Sequence, residues 1–190
     1  MVKQEFYNFK KLHSIDRTVE TDWIVITGPP SSGKTTLIEK MAEKGYEVLH
    51  DIAREIIVEM KQKSKPVDER TKQLLIVKRQ LEKYTSIPTN KLVLLDYGMP
   101  DNLVFQAMAG FSIDLAERAA KFIRYRAVFL LSPLSIEHDG IRNLDYATQH
   151  SLFKEILEKY SELNYKPIAV TSNDLNNRLD LINGYLKEIT

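Results

Sequence analysis

Residues Thr27 to Thr36 read TGPPSSGKTT and follow directly on the apolar run WIVI, residues 23 to 26. Two of the chain's seven glycines flank two prolines and two serines here, and the stretch leads into Lys34 and Thr35. Gly28, Gly33, Lys34 and Thr35 satisfy the spacing G-x-x-x-x-G-K-S/T between a buried strand and a helical segment, the setting in which such a loop cradles phosphate. Backbone N–H groups then surround phosphate oxygens at the positive end of a helix. Glycine takes positive φ freely and lets the backbone approach an anion closely. Pro29, Pro30, Ser31 and Ser32 stiffen the turn and add donors. Lys34 is expected to contact the outer phosphates of a nucleotide, and the Thr35 hydroxyl to join the shell of Mg²⁺. The alternative is a plain strand-to-helix loop with incidental glycines.

Outward from this loop, short apolar runs alternate with longer segments of helical period. WIVIT (23 to 27), YEVLH (46 to 50), KLVLLD (91 to 96), AVFLLS (127 to 132) and KPIAVT (166 to 171) read as five strands. Helices are predicted over 33 to 44, with Leu37, Ile38 and Met41 on one face, over 52 to 62, with Ile52, Ile56 and Met60 at spacing four, and over 68 to 84. Residues 101 to 124 predict two helices broken near GFS, 145 to 163 one long helix, and 174 to 189 a last one. Strands separated by helical crossovers imply an α/β fold with a parallel sheet covered on both faces. Residues 1 to 22 read as an N-terminal arm, a short helix or an edge strand, ahead of one domain from 23 to 190.

The chain has 190 residues, 43% of them hydrophobic and 28% charged, enough for one domain with a proper core. Basic and acidic residues, 27 and 26, are mixed along it, so no general affinity for nucleic acid or an anionic membrane follows. The absence of cysteine excludes disulfides, thiolate nucleophiles and Cys-ligated metal sites, and fits a reducing cytosol. No run of about 18 apolar residues occurs and the N-terminus lacks a signal-peptide core, so a soluble, unprocessed, cytoplasmic protein is expected.

Acids at strand ends point to chemistry. Asp96 closes the third apolar run, where open α/β sheets place their ligands, and reads as a carboxylate that holds Mg²⁺; a polar strand terminus is the alternative. In LHDIAREI, Asp51 ends the second run and Arg54 lies one helical turn on, so both can face one cleft. Asp51 suits the acceptance of a proton from an attacking hydroxyl and Arg54 the holding of an acceptor, while a helix N-cap with a solvated arginine is the other reading. DGIR, residues 139 to 142, lies in a polar stretch after the fourth run. It reads as a lid near 135 to 150 with Arg142 reaching the transferred phosphoryl group, or as a surface loop. His138 beside it carries no role. Arg124 and Arg126 suit a helix C-terminus as readily as a phosphate.

Taken together, GPPSSGKTTLIEKMAEKGYEVLHDIAREII, VLLDYGMPDNLVFQAMAG, RYRAVFLLSP, DGIRNLDYATQHSLFKEILEKYSELNYKPIAV and LNNRLDLI resemble the small AAA-domain P-loop proteins. These are predicted bacterial ATPases that include relatives of the nicotinamide-riboside kinase domain. The resemblance runs from Trp23 to about Ile189. It implies a nucleoside- and nucleotide-kinase type of P-loop fold, a five-stranded parallel sheet in the order 2-3-1-4-5. It places MgATP at Gly28 to Thr36, an acceptor cleft bordered by Asp51, Arg54, Asp96 and Asp101, and Arg178 near the base end of the nucleotide. The family reads Asp-Arg-Gly after its third strand where this chain has Asp96-Tyr97-Gly98, and often glutamate at Asp51, so Tyr97 is expected at the acceptor.

Three functions follow as expectations. The first is a Mg-dependent kinase moving the γ-phosphate of ATP to a small-molecule or nucleoside-like acceptor. The second is an ATPase or nucleotide-gated binding module without such an acceptor, motivated by Tyr97. The third is a structural protein with a vestigial loop. No Asn-Lys-x-Asp guanine-reading segment is present, which favours ATP over GTP.

Overall fold

The computed structural model describes residues 18–63, 67–134 and 146–189. Its centre is β2, Trp23–Thr27, all five residues of which are buried. Trp23 and Val25 face one side and Ile24 and Ile26 the other, as the two-residue period of a strand requires. Apolar residues on both faces demand cover on both faces, and β2 is accordingly flanked by β4 (Val93–Asp96) and β6 (Ala127–Leu131), both parallel to it. Beyond them lie β3 (Val48–Leu49) and β7 (Ile168–Val170), so the sheet runs β3-β4-β2-β6-β7. In terms of the five runs read from the sequence this is the expected order 2-3-1-4-5.

Helices α1 (Lys34–Glu43) and α7 (Leu175–Ile189) cover one face, packing Leu37, Ile38, Met41, Ile182 and Leu186 on Ile24, Ile26 and Phe129. The other face carries α3 (Glu69–Thr85), α4 (Met99–Met108), α5 (Asp114–Phe122) and α6 (Tyr146–Glu162). Helix α2 (Ile52–Lys63) lies outside this layer and seats Ile52 and Ile56 on Ile76 of α3.

Two differences from the sequence reading have plain causes. The second strand shortens to Val48–Leu49 at the sheet edge, where β4 is its one partner and the run is only half buried. In addition, β1 (Val19–Glu20) and β5 (Ile123–Arg124) form a separate parallel pair. Thr21 N–H then donates to Arg124 O at 2.9 Å and Asp22 N–H to Thr89 O at 2.7 Å. Residues 19 to 22 therefore pack on the domain rather than forming part of an arm. Arg124 and Arg126 do serve helix ends, though not those of their own segment. Arg124 donates to the carbonyls of Leu163 and Asn164 just past α6, and Arg126 to that of Ile189 in α7. Among the described residues, no helix is long and apolar enough to cross a membrane.

Candidate active site

The loop between β2 and α1 is held open by its glycines. Gly28 has φ +148°, and a Cβ there would stand 2.5 Å from the carbonyl oxygen of Leu131 on the neighbouring strand. Gly33 at φ +82° is the N-cap of α1 and supplies no side chain, so the first turn of that helix has no side-chain cap. Its N–H groups remain available to an anion. Lys34 folds back across the loop and donates to the carbonyls of Gly28 at 2.7 Å and Pro29 at 2.9 Å. Burial pulls its ammonium pKa down, with Asp96, Asp101 and Asp51 opposing. Pro30, Ser31, Thr35 and Thr36 are exposed around the lysine, Ser31 with φ +63°, while Pro29 and Ser32 are buried.

Asp96 ends β4 directly beside Ile26 of the central strand. It is 5% exposed and its Oδ1 has no hydrogen-bond partner. Burial pushes its carboxyl up to about 7; Lys34 pulls the other way, and Asp51 and Asp101 add to the rise. A buried carboxylate oxygen without a donor is costly, so its presence argues for a ligand that supplies the missing partner. Thr35, Asp51, Arg54 and Asp96 line one cleft of about 530 Å³. Asp51 also accepts from the N–H of Arg54 at 2.9 Å, so it is the N-cap of α2 as well as a wall of the cleft.

Tyr97 follows Asp96 with φ +60°, an uncommon conformation for a bulky residue, and is 9% exposed. Its hydroxyl accepts the N–H of Ala53 at 3.0 Å, bracing the start of α2. It thus works as a brace rather than lining the cleft.

Two residues that the resemblance assigns to ligands lie behind the site. Asp101 is 1% exposed and accepts from Thr27 Oγ1, from Gly98 N–H at 2.9 Å and from Tyr160 Oη at 2.5 Å. Its carboxylate is fully engaged internally, so its place is to fix Thr27, whose Oγ1 accepts the N–H of Gly28 at 2.6 Å. Arg178 is 2% exposed and its guanidinium donates to three carbonyls, those of Ser32 in the phosphate loop, Ser132 after β6 and Ser172 after β7. It ties three strand-end loops together from beneath, and burial lowers its pKa. The resemblance implies a place near the base end of a nucleotide; here the side chain is buried under the loop. Arg142, His138 and residues 135 to 145 of the lid expected near 135 to 150 lie outside the described residues, and 146 to 150 form the start of α6.

Sequence reasoning missed the supports Thr27 and Tyr160, which carry no local signal. It also missed Glu55, Val58 and Glu59, which line the same cleft. These follow Asp51 and Arg54 at helical spacing, and the periodicity could have found them.

A phosphate-type loop after the central strand of a 2-3-1-4-5 parallel sheet, with a carboxylate at the end of the neighbouring strand, defines a P-loop protein of the nucleoside- and nucleotide-kinase type. The AAA domain family model matches residues 23–178, and the chain belongs to that family. Solved structures share the fold. A deoxyadenosine kinase from M. mycoides with dCMP and dCDP bound is 15% identical, with 88% of this chain and 100% of that one covered and a TM-score of 0.61. An NadR protein in complex with NR is 18% identical, with 88% and 51% covered and a TM-score of 0.64, so this chain spans about half its length. A thymidylate kinase from Candida albicans is 13% identical, with 89% and 92% covered and a TM-score of 0.60. Curated proteins provide no match.

Proposed function

We propose that the protein is a Mg-dependent phosphotransferase that moves the γ-phosphate of ATP to a hydroxyl of a small-molecule acceptor. The observation that carries this reading is the single cleft that joins Thr35 of the phosphate loop to Asp51, Arg54 and Asp96. Hydrolysis needs a nucleotide site alone, whereas a second cleft opening beside the loop suits an acceptor. The kinases among the structures of like fold support the same class.

In this reading the free N–H groups of α1 and the Lys34 ammonium hold the phosphates of ATP. The unpartnered oxygen of Asp96 and the exposed hydroxyl of Thr35 fit a divalent cation, and they would hold Mg²⁺. The bound ion supplies positive charge to the outer phosphate oxygens. Asp51, fixed by its bond to the α2 backbone, takes the proton of the acceptor hydroxyl while that oxygen attacks the γ-phosphorus. The bond from γ-phosphorus to the bridging oxygen breaks and its electron pair leaves with ADP. Arg54 steadies the acceptor.

A screen of nucleosides, nucleotides and vitamin-like alcohols with labelled ATP is expected to show transfer that disappears in Lys34→Ala. Label appearing only in inorganic phosphate would overturn the reading. It would favour a nucleotide hydrolase or nucleotide-gated module, for which the specific observation is Tyr97, a brace on α2 that offers no guanidinium to an acceptor.

A further inference from the structure

We propose that the acceptor cleft selects against negative charge: its substrate is a neutral or cationic hydroxyl compound, and phosphate monoesters and carboxylates are turned away. The inference rests on the kinase reading above and names the substrate class of that same site.

The charge of the lining is the first observation. Glu39 on α1, Asp51 at the N-cap of α2, Glu55 and Glu59 on α2, and Asp96 on β4 line the cleft, and among the described lining residues Arg54 is the only lysine or arginine. Arg79 of α3 reaches Glu59 at 3.2 Å and offsets one acid from outside. Even so, among the described residues five carboxylates stand against two guanidiniums and the Lys34 ammonium beside Asp96. An anion entering here meets like charge from three elements, with ATP already adding its own on the loop side.

The second observation is independent. Asp96, 5% exposed, lines this cleft and carries a buried carboxylate oxygen without a hydrogen-bond donor, the oxygen that would hold Mg²⁺. A buried acceptor atom of this kind calls for a cation or a donor, never for another acceptor.

The third concerns the start of α2, the helix end that borders the cleft. A free helix N-terminus would welcome a phosphate. Here the N–H of Arg54 is taken by the Asp51 carboxylate and that of Ala53 by the Tyr97 hydroxyl. Two of the N–H groups that could attract an anion here are therefore already engaged from within. Val58, 47% exposed on the same wall, offers an apolar surface to a carbon skeleton instead.

The test pairs acceptors that differ only in charge: nucleosides with their 5′-monophosphates, and sugars and amino sugars with the corresponding sugar acids, each with γ-labelled ATP. Neutral or cationic members are expected to take label at least about a hundredfold faster than their anionic partners. In the double variant Glu39→Lys, Glu55→Lys that ratio is expected to fall about tenfold or more, and in the single variant Glu55→Gln by a smaller factor, with circular dichroism checking the fold of both. Efficient transfer to a monophosphate or a carboxylate overturns the inference while the kinase reading stands. A ratio unmoved by either variant also overturns it. Label in inorganic phosphate alone removes the kinase reading, and the inference with it.

Discussion

The Tyr97 hydroxyl accepts the backbone N–H of Ala53 at 3.0 Å, so the residue after Asp96 fixes the start of the helix that follows Asp51 and carries Arg54. Asp51 and Arg54 are thus registered to β4 by a bond between one side chain and one backbone group. Tyr97→Phe leaves that N–H without its partner. Urea denaturation is expected to show a loss of about 1 kcal/mol, and acceptor KM should rise more than ATP KM.

Gly28→Ala places a methyl group against the Leu131 carbonyl at a backbone angle that L-residues rarely take. Strain of this kind costs about 1–3 kcal/mol, and the steric conflict adds to it. Calorimetry is expected to show both lowered stability and loss of MgATP binding, the second effect outlasting any recovery of stability by added osmolyte.

Arg178→Met removes the donors from three carbonyls, the buried one of Ser32 and the part-buried ones of Ser132 and Ser172, while keeping the apolar stem. Stability is expected to fall by about 2–4 kcal/mol. The Kd for MgATP should rise by about tenfold or more as the Ser32 end of the loop loses its anchor. Arg178→Lys, which retains charge but lacks the fork, is expected to lie closer to Met than to the parent. A Lys variant equal to the parent in Kd would show that geometry at this position is unimportant.

Asp96 makes stability and nucleotide affinity depend on pH with opposite signs. Its folded pKa, about 7, lies above the 3.8 of an ordinary aspartate. Between those two values the unfolded chain has released the proton and the folded chain keeps it, so stability falls as pH rises through the window and levels off above it. Holding Mg²⁺ requires the ionised form, so the thermal shift produced by MgATP should be larger at pH 8 than at pH 6. Asp96→Asn is expected to flatten both trends. A parent profile already flat between pH 4 and 7 would contradict the burial argument.

The core of the fold was legible because the apolar strand runs are long enough to announce themselves, and WIVIT in particular is buried on both faces as an inner parallel strand should be. Thr35, Asp51, Arg54 and Asp96 were legible as partners because each sits at a strand end or a helix start on the same edge of the sheet. The β1–β5 pair was not, since Ile123 and Arg124 continue the helical rhythm of α5 and two residues carry no period of their own. Asp101 and Arg178 were assigned to ligands by the family resemblance alone, which says nothing of what packs around them in this chain. What buries them is supplied from far away in sequence. Thr27 lies 74 residues from Asp101, and Ser32 lies 146 residues from Arg178. No local pattern encodes such contacts.

The Arg178 anchor also sets an order of events during synthesis. The phosphate loop, residues 28 to 36, leaves the ribosome early, yet the side chain that seats Ser32 belongs to α7, far along the chain. A nascent chain can lay down β2, α1 and β4 and still lack the hub on which the loops after β2, β6 and β7 converge. If the loop binds nucleotide as proposed, chains stalled before α7 emerges are expected to hold MgATP more weakly than the full chain.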